Sequence, residues 1–469
     1  MKIDQRFTKS VGVEVFTGNE LLVKGCLETE GGTHLWTGYP GSPVSGFFDT
    51  ASELRELLMA HGIRAAMANN EALAAAMVNG SQMLGLRAIS VQKSVGLHVA
   101  ADALALGNLA GAHPEGGAVI VVGDDPWSDS TQVPADSRYL CKHLMMPVLE
   151  PSDPQELKDW IDLGFKLSRE SRLYIGYLVT TNQADGGGSV NVRPNHYPAV
   201  NTQARVTLDT SEIDFEHRVL LPPRTWRQEQ ELPDRFARLW AAASRLGINR
   251  VEMPTDGQRA ISKLGFVTSA QAYCYLRHAL AEMGLDGVFP ILKLGITYPL
   301  DAALILRFAS GLSDLFVVEE RRGFIEEQIV EIITRARQAN NGQSEEIQCS
   351  VWGKKFPFGL DGIPSARGLN PSKLIGRLGR VFLQHRALQG RVDRGAIERE
   401  LAVIREVKSI SAIVAPRTPT FCPGCPHRDS ASVLLEIKKQ FRDKQYMEKV
   451  HGVGPVDLVC HGDTGCYTM

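Results

Sequence analysis

The chain has 469 residues, 43% of them hydrophobic and 22% charged, with a formal net charge of −2. That length suggests about three domains with buried cores, and the near-neutral balance argues against a nucleic-acid-binding surface. The first twenty residues lack the apolar segment of a signal peptide, and runs such as "AVIVVG" are far too short to cross a membrane, so a soluble, cytoplasmic protein with no membrane partner is expected.

In chain order, the first 185 residues alternate two patterns. "HLWTGY", "RAISVQ", "AVIVVGD" and "RLYIGYLV" are short apolar runs rich in β-branched or aromatic residues, the signature of buried strands. Between them, "SGFFDTASELRELLMAHG", "NEALAAAMVNGSQMLG", "LHVAADALALGNLAGA" and "DPQELKDWIDLGFKLSRES" repeat apolar positions at three- and four-residue spacing, which predicts helices. Strands alternating with helices predict an α/β fold: a parallel sheet with helices on both faces. "DGGGS" at 185–189 breaks the pattern, and residues 186–257 read as a connecting region with one amphipathic helix, "PDRFARLWAAASRLG". A second α/β unit follows over 258–410: "LGFV" with "TSAQAYCYLRHALAEMGL", "VFPILKLG" with "PLDAALILRFASGL", and "LFVVEE" with "GFIEEQIVEIITRARQ". Thr268 or Ser269 suits the N-cap of its first helix. A third unit, 411–469, offers a helix from about Ser430 to Phe441 and the strand "PVDLVCHGD". One helix and one strand cannot bury an α/β core, so this last domain is expected to be incomplete.

Several stretches bear chemistry. Of eight cysteines, Cys26, Cys141, Cys274 and Cys349 are scattered in apolar segments and read as buried thiols. Cys422, Cys425, Cys460 and Cys466 crowd near the end, which points to a metal or to catalysis. The "CPGC" pair admits three chemistries: zinc, with His427 and His461; a redox dithiol at a helix start; or an iron–sulfur cluster using Cys422, Cys425 and Cys466. Spacing alone leaves all three open. Glu71, in "AMANNEALAAAM", opens a helix behind two asparagines, where an asparagine cap and an acid at the positive end of the helix dipole suffice to explain it. The small apolar residues after it would also let Glu71 face an interface. "YPGSPVSG" follows a strand; Ser42 and Ser45 could hold an anionic group, or Ser45 could simply cap the next helix. "VQKSVGLH" and "VVGDDPWSDSTQ" also follow strands, and in parallel sheets ligands bind at such carboxyl ends. None has the spacing of a dinucleotide loop or a P-loop. "VVEERRGFIEEQI" reads as a solvated loop and helix face.

Taken in order, "YPGSP", "NEALAAAM", "QKSVGLHVAADAL", "VVGDDP", "PVLEPSDPQE", "KLGITYPL", "VVEE", "FCPGCPHR" and "GDTGCY" resemble the large subunits of indolepyruvate:ferredoxin oxidoreductases, within the thiamine-diphosphate-dependent 2-oxoacid:ferredoxin oxidoreductase family. The resemblance spans nearly the whole chain outside 186–257. It implies a thiamine-diphosphate-binding fold: a pyrimidine-binding domain (1–185), a transketolase C-terminal-like α/β domain (258–410) and the start of a diphosphate-binding domain (411–469). Glu71 matches the acid that hydrogen-bonds the cofactor's aminopyrimidine ring, with Tyr39, Pro40 and Gly41 beside it. Ser42, Lys93 and His98 become substrate-binding residues, with Ser42 on the 2-oxoacid carboxylate. Cys422, Cys425 and Cys466 become ligands of a 4Fe–4S cluster. The implied activity is oxidative decarboxylation of a 2-oxoacid, an arylpyruvate such as indolepyruvate, to acyl-coenzyme A and CO2, with electrons passed through the clusters to ferredoxin. A small gamma- or beta-type subunit, an oligomeric assembly and Mg2+ with the cofactor go with it; the Mg2+ and diphosphate motif belongs beyond residue 469. Ser42 stands where the indolepyruvate type carries threonine, a departure that bears on the substrate. The rival is a non-catalytic thiol or zinc protein on the same scaffold.

Overall fold

The computed structural model describes residues 3–128, 131, 133–204, 209, 211, 215, 219–255, 263–339, 348–410, 421 and 424–460. They form two compact units: Met1–Ser128 with Val133–Glu406, and Asp129–Gln132 with Val407–Met469.

The described strands of the first unit are, in chain order, β1 (Val13–Thr17), β2 (Leu35–Gly38), β3 (Arg64–Met67), β4 (Arg87–Lys93), β5 (Gly117–Asp124), β6 (Val148–Leu149), β7 (Ile175–Thr180), β8 (Gly187–Asn191), β9 (Arg250–Glu252), β10 (Leu264–Ser269), β11 (Ile291–Leu294), β12 (Ile296–Tyr298), β13 (Asp314–Val318) and β14 (Ser350–Trp352). The first sheet has seven strands in the order β12-β6-β7-β5-β4-β2-β3, all parallel except β12, which runs antiparallel on the edge. Every residue of β5 is buried. Its side chains alternate between two cores: Val119 and Val121 join Leu157, Ile161 and Phe165 on one face, while Ala118, Ile120 and Val122 join Val78, Leu97 and Leu104 on the other. Cover on both faces is why this strand is continuously apolar. Helix Pro154–Ser171 lies on the first face, and helices Glu71–Ser81 and Ser94–Ala110 on the second.

The second sheet has five strands, β14-β13-β10-β11-β9, with only β9 antiparallel. Its helices include Ala270–Glu282, which starts after Ser269 as expected, and Phe324–Ala339. Two further helices, Pro371–Gln384 and Arg394–Ile410, escaped the sequence reading. The connecting region carries more structure than a plain connection. β8 pairs with β1, β9 joins the second sheet, and helix Leu232–Arg245 sends Leu239, Ala242 and Ala243 into the first core. The short strands β3, β6, β9, β12 and β14 were also missed, because two to four residues cannot display a period.

In the second unit, helix Pro426–Arg442 begins four residues before the expected Ser430, with proline in its first turn. Asp443 caps a second helix, Lys444–His451. The strand expected over "PVDLVCHGD" is not present at Pro455–Cys460, and the rest of it lies outside the described residues. Val433, Leu435, Val453 and Val459 are exposed, and the unit shows no core of its own among the described residues. No helix among the described residues is long and apolar enough to cross a membrane.

Candidate functional site

Parallel pairing brings the carboxyl ends of β2, β3, β4 and β5 to one edge of the first sheet, and the loops singled out in the sequence leave from that edge. The polypeptide packs tightly there. A β-carbon on Gly38 would fall 2.0 Å from the carbonyl oxygen of Val91, and Gly38 has φ 146°, so the chain leaves β2 pressed against β4. Gly41 lies against the methylenes of Lys93, with Cδ 2.7 Å from where its β-carbon would be. Gly123, at the end of β5, faces the ring of Pro43 in the same way, at 2.8 Å. Three sequence-distant loops therefore meet. Asn19 secures them by donating to the carbonyls of Pro43 (3.0 Å) and Ala184 (3.2 Å). Nothing in the sequence around Asn19 marked this role, since "TGNE" reads only as a helix start.

Glu71 is the first residue of helix Glu71–Ser81. As expected, Asn70 caps that helix, its Oδ1 accepting from the backbone N–H of Leu73 at 2.9 Å. Glu71 itself is buried, 6% exposed, and its carboxylate finds no hydrogen-bond or ion-pair partner among the described residues. It stands over Gly96, near the start of helix Ser94–Ala110. At the adjoining end of β4, Gln92 Nε2 and Ser94 Oγ are buried polar atoms without a partner among the described residues. Tyr39, Pro40 and Ser42 are exposed on their loop, and Gly41 and Lys93 are half-buried. The structure thus brings together Gly41 and Lys93. It leaves His98 on the exposed side of its helix, with no bond that fixes it. Two larger cavities, about 600 and about 420 Å3, flank β3 instead; they are lined by residues such as Trp36, Phe47 and Met59, and His34, Met77 and Leu84, and include none of the predicted site residues.

A second polar cluster lies where the carboxyl ends of both sheets meet, around a cavity of about 30 Å3. Arg138 donates to Asp136 (2.8 Å), to Glu319 (2.9 Å) and to the carbonyl of Glu320 (2.9 Å). Glu319 also accepts from the N–H groups of Ile325 and Glu326. Asp124 accepts from the backbone and hydroxyl of Ser137; burial and the neighbouring Asp136 charge push its carboxyl up to about 7. Burial likewise pushes Glu320 up to about 7 and raises Glu150, which accepts from Thr297 at 2.7 Å. The expectation of a solvated face at "VVEE" is therefore corrected: Glu319 is 1% exposed, because β13 delivers it to the other sheet's edge, where Arg138 waits.

The cysteine region is seen only in part. Cys425 occupies the N-cap position of helix Pro426–Arg442, behind Gly424 at φ 75°. Cys422, Cys466 and His461 lie outside the described residues. Among the described residues no three His, Cys, Asp or Glu side chains converge on a metal position. Cys26, Cys141 and Cys349 are buried free thiols as expected, and Cys274 is half-buried; burial pushes each thiol up, Cys349 to about 11, which keeps them unreactive.

The paired, mostly parallel sheets have a counterpart of known structure: the fold is similar, with a TM-score of 0.54, to that of 2-oxoglutarate:ferredoxin oxidoreductase from Magnetococcus marinus, a structure with 2-oxoglutarate, coenzyme A and succinyl-CoA bound, at 15% identity over 79% of this chain and 65% of that one. Residues 255–408 match the indolepyruvate oxidoreductase domain. Along its length the chain is similar to indolepyruvate oxidoreductase subunits IorA: 28% identity with that of Methanothermobacter marburgensis over all of this chain, 28% with that of Pyrococcus abyssi over 96%, and 28% with that of Archaeoglobus fulgidus over 98%. The chain spans 61–66% of the length of these relatives.

Proposed function

We propose that this chain serves the oxidative decarboxylation of a 2-oxoacid, an arylpyruvate such as indolepyruvate, with thiamine diphosphate as cofactor, coenzyme A as acyl acceptor and ferredoxin as electron acceptor. One observation carries the proposal: Glu71 is only 6% exposed as a residue, yet its carboxylate has no hydrogen-bond or ion-pair partner among the described residues, at the carboxyl edge of a parallel sheet. A carboxylate that the protein leaves without a partner keeps its acceptor sites for a ligand, and a ligand entering this edge can complete it. An aminopyrimidine ring, which offers a basic nitrogen and an amino group, fits that need. The bound cofactor supplies the carbon nucleophile and the electron sink for loss of CO2. Glu71 holds the ring by a hydrogen bond and shares its proton, and Tyr39, Pro40 and Gly41 wall it. Ser42 and Lys93 meet the substrate carboxylate, with His98 beyond them.

On this reading residues 1–185 form the pyrimidine-binding domain, 258–410 the transketolase C-terminal-like domain and 411–469 the start of the diphosphate-binding domain. Cys422, Cys425 and Cys466 hold a 4Fe–4S cluster. Mg2+ belongs with the diphosphate, and the described residues supply no ligand set for it. The subunit designation of the relatives supports a second subunit in the assembly, here taken to be the small gamma- or beta-type one. A cytoplasmic location goes with this activity.

The test is Glu71→Gln in the complete enzyme, at saturating cofactor. Loss of a positioned proton-transfer group lowers turnover by about 10² to 10⁴; unchanged turnover rejects the proposal. Iron and acid-labile sulfide, assayed after anaerobic purification, test the cluster. Zinc without iron would give the cysteines to a zinc clip instead.

A further inference from the structure

We infer that Gly96 is a positioning residue for Glu71: the side chain it lacks is the space in which the Glu71 carboxylate stands. The inference rests on the proposed cofactor role of Glu71. Gly96 is the third residue of helix Ser94–Ala110, and its φ is not positive, so nothing in the backbone calls for glycine. Inside a helix, alanine is favoured over glycine by about 1 kcal/mol. What stands closest to the missing side chain is Glu71, which supplies the three nearest atoms. A β-carbon on Gly96 would lie 2.2 Å from Glu71 Oε1, 2.7 Å from Cδ and 2.8 Å from Cγ, all inside the 3.0 Å that real contacts respect.

The same two helices touch again further along, where a β-carbon on Gly107 would meet Asn79 Oδ1 at 2.0 Å. The comparison is instructive. Asn79 is tied by hydrogen bonds to the carbonyl of Ala103 (2.8 Å) and the hydroxyl of Tyr174 (3.0 Å), so its position does not depend on the glycine opposite. Glu71 has no such tie among the described residues, and shape is what locates it. Because Cγ as well as the carboxylate is within reach, an added methyl displaces the whole arm. Displacement of this kind moves the carboxylate off its mark without opening a cavity.

The experiment uses the complete enzyme with Gly96→Ala, Glu71→Gln and the control Gly80→Ala, a helical glycine with nothing within 4 Å of its missing β-carbon. Three quantities are read: the thermal unfolding temperature, the affinity for thiamine diphosphate, and the rate of hydrogen–deuterium exchange at C2 of the bound cofactor, followed by NMR after acid quench. Gly96→Ala is expected to unfold at the parent's temperature or higher and yet to exchange about tenfold to a hundredfold more slowly, approaching Glu71→Gln, as misplaced catalytic groups do. Gly80→Ala should match the parent in cofactor affinity and exchange rate and unfold at the parent's temperature or somewhat higher. Exchange in Gly96→Ala within about twofold of the parent overturns the inference, and so does slow exchange that comes with a lowered unfolding temperature, which would make Gly96 a packing residue. If Glu71→Gln slows exchange and Gly96→Ala does not, only Gly96 loses its role. If Glu71→Gln exchanges like the parent, or the parent binds no thiamine diphosphate, the reading of Glu71 falls and takes this inference with it.

Discussion

Glu71 shows how much a residue's neighbours add to its identity. In the sequence it is an acid in the first turn of a helix, and Asn70 does cap that helix. The structure adds that the residue is largely buried and that its carboxylate has no partner among the described residues, neither of which helix-start chemistry requires. Ser42 is the opposite case: the loop position was legible from "YPGSP", and the hydroxyl is exposed and available. A hydroxyl that binds a charged carboxylate contributes roughly 1.5–3 kcal/mol. Ser42→Ala should therefore raise KM for indolepyruvate about tenfold or more while kcat changes little, measured by steady-state kinetics on the complete enzyme. An unchanged KM would remove Ser42 from the substrate site. Lys93 packs its methylenes against Gly41, a contact that no spacing rule in the sequence foretold.

At the scale of elements, the strand ends carry the chemistry. β5 was legible as a buried strand from its unbroken apolar run, but Asp124 at its end is coupled to Ser137 and Asp136 only through the fold. Its carboxyl sits at about 7 against an ordinary 3.8, so the folded protein holds this proton more tightly than the unfolded chain. The associated stability is complete below about pH 4 and is lost as pH rises through 7. Glu320, also raised to about 7, acts in the same direction. Asp124→Asn keeps the shape without the charge. Denaturant unfolding of this variant should lose less stability than the parent between pH 5 and pH 8; identical pH profiles would show that Asp124 does not titrate in that window. The "VVEE" segment was misjudged for a physical reason. Acids beside arginines usually form weak exposed pairs, and only the docking of β13's end against another sheet removes water from these.

Across the whole first unit, the two sheets are joined more firmly than their separation in sequence suggests. β12, from the second α/β stretch, completes the edge of the first sheet, and β9, from the connecting region, completes the second. Lys293 on β11 is fully buried and ion-paired to Glu156 on helix Pro154–Ser171. Arg138 reaches from the first sheet's edge to Glu319 and Glu320. Removing one partner of a buried charge network strands the others, at a cost of about 3–5 kcal/mol. Arg138→Met should lower unfolding free energy by about that amount, read by denaturant titration; a loss below about 1 kcal/mol would show the network to be solvated.

The sequence alone determined the α/β class, the long strands and helices, the family resemblance and the chemical types at the site. These rest on local periodicity, on residue identity and on motif order, all of which a linear chain displays. Only the tertiary structure decided which loops meet at the carboxyl edge, that the Glu71 carboxylate stands over Gly96, that Glu319 of "VVEE" is buried, and that short strands from distant segments close both sheets. Those features arise from contacts between residues far apart in the chain, where burial and pairing, set by the packing of neighbours, override what each segment prefers by itself.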